Sequence, residues 1–237
     1  AGGVDTTSDA PIALNEKMRK ILLEASRAKT TTQRLAAFSA FRPSMLVSPS
    51  LPRNGEPRTG LSMGEHAEQM AQEWKVSREA QDELALKSHQ NLARAYNDGF
   101  FTDLLTPFNG VSKDNNLRAD LTIEKLRTLK PVFDKKVAPG QGTLTAGNST
   151  PLTDGASAVL LASEEWAKAR NIPVLAYITF SEVAAIDFFN EKEGLLMAPA
   201  YAVPRMLERA GLKLQDFDFY EIHEAFAAQV LCTLKAW

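Results

Sequence analysis

The sequence has 237 residues, 44% of them hydrophobic and 24% charged, with 27 Lys and Arg against 29 Asp and Glu. That is enough apolar residue for one large core or two small ones, and a net charge of −2 gives no electrostatic basis for nucleic acid as a partner. The single cysteine, Cys232, excludes an intrachain disulfide and suits a reducing compartment; no run reaches the roughly 18 apolar residues of a membrane-spanning helix.

The chain opens Ala1-Gly2-Gly3-Val4, which reads as the end of a strand followed by a loop to residue 12. The spacing of Met18, Ile21, Leu22 and Ala25 predicts an amphipathic helix over 16–29, and Leu35, Phe38 and Phe41 predict a second over 32–41. This pair is basic, with seven Lys or Arg against two Glu between Glu16 and Arg42. Four prolines and two glycines in 43–60 predict an irregular surface crossing. Ser62 with Glu65 forms a capping-box pattern for a helix over 63–74. Ser77 is the N-cap of a longer helix running to Asn97 or Asp98, with Gly99 as its left-handed stop. A helix over 122–129 ends before Pro131.

Near Gly140 the character changes. Thr143–Ala146 reads as a strand, followed by the polar turn GNSTPLTDG. Ala156–Leu161 is a small, apolar run of the kind found in strands buried on both faces. Ser163 caps a helix closing near Arg170 and Asn171, Val174–Val183 reads as a strand, 201–210 as a helix ending at Gly211, Phe217–Ile222 as a strand and Glu224–Trp237 as a helix. Such alternation predicts a mostly parallel sheet between helices, preceded by or enclosing a helical insertion. Because a core strand and a core helix are unusual places for termini, the chain is expected to be a piece of a longer polypeptide.

The most informative segment is DFDFYEIHEAFAAQ, residues 216–229, in which a predicted strand runs into His223 just before a helix. Polar residues at the carboxyl end of a buried parallel strand are where α/β folds place ligand contacts, although a histidine there can also merely cap the helix. In the turn LTAGNSTPLTDGASA, residues 144–158, small residues let a ligand approach the backbone and the hydroxyls can hydrogen-bond it. A third segment, LSMGEHAE at 61–68, places a Met-Gly pair at a helix start; the fourth is AGGVDTTSDAP at 1–11. His66 and His89 read as satisfied or surface helical residues. Cys232 lies about two turns into the last helix, in Val230-Leu231-Cys232, and reads as core packing rather than as an activated thiol.

In this order, these four segments resemble the thiolase family: its GG-x-E-S-M-S segment, its MG-x-x-AE helix, its TAGN-[SA]-S turn and its NEAFA motif. The resemblance covers essentially the whole chain, and the HEAF form with the long basic stretch at 16–60 is most similar to β subunits of fatty-acid-oxidation trifunctional complexes and their bacterial relatives. It implies an α/β, thiolase-like layered fold: 1–12 as the end of the N-terminal half, 13–140 as a helical loop domain, 141–185 as the rest of that half, and 186–237 as the start of the C-terminal half. It implies acyl exchange between a cysteine thiolate and coenzyme A, cleaving 3-ketoacyl-CoA or running the condensation in reverse, with acyl-CoA and CoA as substrates and no metal or other cofactor.

By position, the resemblance places His223 in the oxyanion hole, where most thiolases carry Asn and where an imidazole N–H can serve the same end. Met63 matches a residue lining the pantetheine and acyl tunnel. Thr150 matches a hydroxyl that bonds coenzyme A, with Ala146 and Ser149 beside it, Phe226 in the adjoining motif, and Arg118 as a basic residue near the nucleotide. Ser62 departs from those members with His at that position. The family's nucleophilic cysteine belongs before residue 1, and its GHP histidine and second cysteine beyond Trp237, so the chain alone is expected to be inactive. The resemblance further implies a homodimer or tetramer, a hydratase/dehydrogenase α subunit as partner, cytoplasmic residence in bacteria or mitochondrial in eukaryotes, and peripheral membrane contact through 16–42; packing of Met18, Ile21 and Leu22 on the insertion is the alternative for that hairpin. Competing readings are a short-chain acetyl-CoA acetyltransferase or sterol-type thiolase, and a non-catalytic acyl-CoA-binding subunit.

Overall fold

The computed structural model describes residues 1–9, 11–47, 54–189 and 194–237, so part of the crossing expected at 43–60 lies outside them. The chain divides into two compact units, one of residues 1–54 and 152–173 and the other of residues 55–151 and 174–237.

In the first unit, strand β1 (Gly2–Asp5) pairs antiparallel with β2 (Gly155–Ala158), Gly2 opposite Ala158 and Asp5 opposite Gly155. Ser8 and Thr7 donate to the Asp154 carboxylate beside this ladder, and these bonds hold Asp154 below the ordinary carboxylate range. Helix α1 (Glu16–Arg27) starts at Asn15, whose side chain accepts the Lys17 N–H, and α2 (Thr31–Ala37) starts at a complete Thr30–Gln33 capping box. Met18, Ile21, Ala25 and Ala37 are buried, as the helical spacing requires. The predicted second helix is shortened, because a 3₁₀ turn takes Phe38–Ala40, and Leu35 is 70% exposed. Helix α6 (Glu164–Ala169) is capped by Ser163 as expected.

The second unit is built on α3 (Met63–Glu73), α4 (Arg78–Asn97), α5 (Ile123–Arg127), α7 (Pro199–Ala210) and α8 (Ala227–Ala236). The Ser62–Glu65 capping box, the Ser77 cap, and left-handed stops at Gly99 and Gly211 all form as the sequence predicts. Ala67, Met70, Ala71, Val76, Leu144, Met197, Ala228 and Cys232 make the core, with Phe133 and Phe226 packed against it. Gly64 is required here: a Cβ on it would lie 2.3–2.5 Å from ring atoms of Phe133, and Phe133 in turn meets Phe226 edge-on at 6.0 Å. The fully buried Glu68 carboxylate ties α3 to the segment after Gly142 by accepting the N–H groups of Thr143 and Leu144.

The strands differ from expectation. Among the described residues there is one sheet, and it is a two-stranded antiparallel pair rather than a mostly parallel sheet. Thr143–Ala146 makes only an isolated bridge, Pro131 with Thr145, and 174–183 and 217–222 form no strand. β2 is exposed on both faces instead of buried. A strand needs a neighbour to take its alternating N–H and C=O groups, and apolar sequence alone does not supply one; Leu175 (96% exposed), Ile178 (79%) and Phe219 (89%) accordingly face outward. Helix α8 begins at Ala227, three residues later than predicted. No described helix is long and apolar enough to cross a membrane.

Candidate functional site

The second unit contains a cavity of about 650 Å³. One wall is the α4 face carrying Leu84, Ala85, Ser88, His89 and Leu92; the others come from 114–121, the end of α5, the turn 146–151 and residues 223, 224 and 227. Those α4 positions recur at helical spacing, so one apolar stripe interrupted by two polar residues is presented to the cavity.

Two backbone pairings bring the turn to the His223 segment. Thr150 N–H donates to Ala225 O at 2.9 Å and Ala227 N–H to Asn148 O at 3.0 Å, with Ser149 bridging Phe226. The turn itself is closed by Asn148, whose Oδ1 accepts the Thr145 N–H at 2.8 Å. Ser149 Oγ is buried without a hydrogen-bond partner among the described residues.

Of the residues singled out by sequence, Arg118, Ala146, Ser149, Thr150 and His223 line this cavity. Met63 does not; it is the first residue of α3. Phe226 caps α8 and packs on Phe133, behind the turn. His223 lies on an unpaired segment, not at a strand end, and is exposed. Arg118 Nη1 donates to the carbonyls of Asn115 and Leu117, fixing its loop from within.

Two participants escaped the sequence reading. His89 Nδ1 accepts the Arg118 backbone N–H at 3.2 Å, so its neutral ring carries the proton on Nε2. Burial, and then the Arg118 guanidinium, hold His89 below the ordinary imidazole value against the pull of Asp114 and Glu224. Ser88 Oγ donates to Glu224 Oε2 at 2.5 Å. The available signal was the Ser88-His89 pair within the stripe of Leu84, Ala85 and Leu92. His66, by contrast, is buried as a structural histidine, its Nε2 2.8 Å from Thr59 Oγ1. Cys232 is fully buried against Met70 O, and burial pushes its thiol up to about 12, which leaves almost no thiolate at neutral pH.

Comparison with known proteins decides the family. The family model for the thiolase N-terminal domain matches residues 1–165, and that for the thiolase C-terminal domain matches 172–237. The chain belongs to the thiolase family. It is 42% identical over 241 aligned residues to the 3-ketoacyl-CoA thiolase of Yersinia pestis (strain Pestoides F), covering 99% of this chain and 53% of that protein. It therefore spans about half the length of the curated relatives it matches. Among solved structures, human mitochondrial 3-ketoacyl-CoA thiolase in complex with CoA aligns with a TM-score of 0.76 at 31% identity, covering 100% of this chain and 54% of that one. The Bacillus anthracis acetyl-CoA acetyltransferase aligns at 0.75 with 34% identity over 99% of this chain and 55% of that one. The fold class is thus that of an α/β thiolase, carried here by helices and a small sheet.

Proposed function

We propose that this chain supplies an acyl-CoA-binding part of a thiolase that cleaves 3-ketoacyl-CoA to acetyl-CoA and a shortened acyl-CoA, or runs the reverse condensation. The observation that carries the reading is the cavity itself, in which the turn 146–150, Arg118 and His223 meet although they lie far apart in sequence. An acyl-CoA needs a cation for its phosphates, small residues and hydroxyls along its amide-bearing arm, and a donor at the thioester oxygen. Arg118 suits the first need, Ala146, Ser149 and Thr150 the second, and the imidazole of His223 the third. We assign Met63 and Phe226 to the shell behind these contacts, and residues 13–140 to an inserted loop domain.

The chain alone should not turn over substrate, because its one thiol is buried and protonated. Isothermal titration of the chain with CoA tests the reading: saturable binding is expected and should weaken on Arg118→Ala, while acetoacetyl-CoA thiolysis should be absent. No binding of CoA at millimolar concentration would overturn the binding role, and turnover by this chain would overturn the assignment of Cys232. The intact protein is proposed to be a homo-oligomer, in keeping with the dimeric peroxisomal thiolase of Saccharomyces cerevisiae, and to meet a hydratase/dehydrogenase α subunit. Peripheral membrane contact through 16–42 is supported by the exposed Leu35 and Phe38 beside a basic helix; the absence of salt-dependent binding of the intact protein to anionic vesicles on sedimentation would remove it.

A further inference from the structure

Beneath the cavity wall lies a charged network that the acyl-CoA reading does not use. Asp82, on α4, is fully buried. Its Oδ2 accepts from Arg78 Nε at 2.7 Å and its Oδ1 from Asn148 Nδ2 at 2.9 Å. Asn148 Nδ2 also donates to Thr143 O, and Asn148 Oδ1 accepts the Thr145 N–H. On the other side, Arg78 Nη2 donates to the carbonyls of Leu126 and Leu129. One end of this chain of bonds therefore reaches Asn148, which lines the cavity within the 146–150 turn, and the other reaches the backbone of the cavity-lining Leu126 and Leu129.

We propose that Asp82 is a positioning residue for ligand binding: through Asn148 it holds the 146–150 turn, and through Arg78 the end of α5, in the one arrangement that lines the cavity. The inference rests on the acyl-CoA-binding reading above for its functional half. The chemistry fixes the direction of every bond. An ionised carboxylate only accepts, so it selects the NH₂ end of the Asn148 amide; the Thr145 N–H only donates, so it selects the oxygen end. With both ends specified, the amide cannot flip, and the backbone of Asn148 is set where its carbonyl accepts the Ala227 N–H. Asp82→Asn would leave one donor facing another, either at Arg78 Nε or at Asn148 Nδ2, whichever way the new amide turns. A buried network broken at one member loses more than the bond removed.

The test compares the unaltered chain with Asp82→Asn and with the charge-conserving double variant Asp82→Asn/Asn148→Asp, which keeps one carboxylate and one amide between Arg78 and Thr145. Two readouts are taken where circular dichroism shows each protein fully folded: CoA affinity by titration calorimetry, and amide hydrogen exchange. Asp82→Asn should weaken CoA binding about tenfold and speed exchange at Thr145, Thr150 and Ala227, with little change in the α3 amides. The double variant should recover a large part of both. Unchanged exchange at those three amides overturns the positioning role. Faster exchange with an unaltered CoA affinity overturns its link to binding, as does a loss of stability alone. If the unaltered chain binds no CoA, the functional reading fails, while the exchange data still decide whether Asp82 holds the turn; should Asp82→Asn not fold, the double variant is read against Asn148→Asp alone, and slower exchange at Thr145, Thr150 and Ala227 with tighter CoA binding in the double variant supports the proposal, while no gain over Asn148→Asp overturns it.

Discussion

Replacing Glu68 offers a graded test of how the second unit is held together. Its two carboxylate oxygens accept from Gln72 Nε2 at 2.7 Å, from Thr143 N–H at 2.9 and 3.1 Å, from Thr143 Oγ1 at 3.1 Å and from Leu144 N–H at 2.8 Å. Glu68→Ala leaves the buried Leu144 N–H and the half-buried Thr143 N–H without their acceptor. At about 1–3 kcal/mol for each stranded donor, together with the space left behind, the loss should be about 4–6 kcal/mol. Glu68→Gln is milder. The new amide can keep its oxygen toward Leu144 and Thr143 N–H and turn its NH₂ toward a reversed Gln72 amide, which gives up the exposed Gln72 Nε2–Gln141 O bond, so the loss is that bond and charge assistance, about 1–2 kcal/mol together. Urea unfolding of the full chain, followed by far-ultraviolet circular dichroism, reads the difference. With a slope of about 2 kcal/mol per molar, the Ala variant should lose about 2–3 M of midpoint and the Gln variant under about 1 M. Equal losses for the two, or a loss below about 1 kcal/mol for Ala, would refute the claim that stranded backbone donors set the cost.

Three other outcomes follow from the same packing. Gly64→Ala should destabilise the chain by about 1–3 kcal/mol, because the added methyl must displace the Phe133 ring from its contact with Phe226; a midpoint equal to that of the unaltered chain would show that Phe133 moves freely. Cys232 should resist a thiol-reactive disulfide reagent in the native chain and react fully in denaturant, since its thiol is buried and shifted up to about 12; fast native labelling would contradict its place in the core. The pH dependence should come from His66 and His89, both held below the ordinary imidazole value chiefly by burial. Because the unfolded chain binds protons on these rings more readily, their contribution is complete above about pH 6.5 and is lost as the pH falls below it toward the folded values. Unfolding midpoints between about pH 7.5 and pH 5.5 should therefore fall, with a shallower fall for His89→Gln. The same slope for that variant would exclude His89 as a source.

Helix boundaries were legible because they are written locally. Ser62 with Glu65, Ser77, Ser163 and Gly211 act within one turn of themselves, and no distant residue was needed to place them. The strands were not, since Val174–Val183 and Phe217–Ile222 have strand composition but their pairing depends on a neighbour that apolar pattern cannot specify. The site divides along the same line. The motif turn and His223 could be placed by resemblance, and they do meet. Ser88, His89 and Asp82 could not, because each acts on a segment that the chain reaches only after a long excursion: the partners of Ser88 and Asp82 lie 136 and 66 positions away.

The antiparallel pairing of β1 with β2 carries a kinetic consequence. The side-chain contact between Thr7 and Asp154 that accompanies it spans 147 positions, and closing a loop of that length costs about 4–5 kcal/mol in chain entropy before any bond is made. Four residue pairs exposed on both faces bring little hydrophobic return to offset it. The ladder should therefore zip only after the helices on either side have shortened the effective loop, forming last on the way in and opening first on the way out.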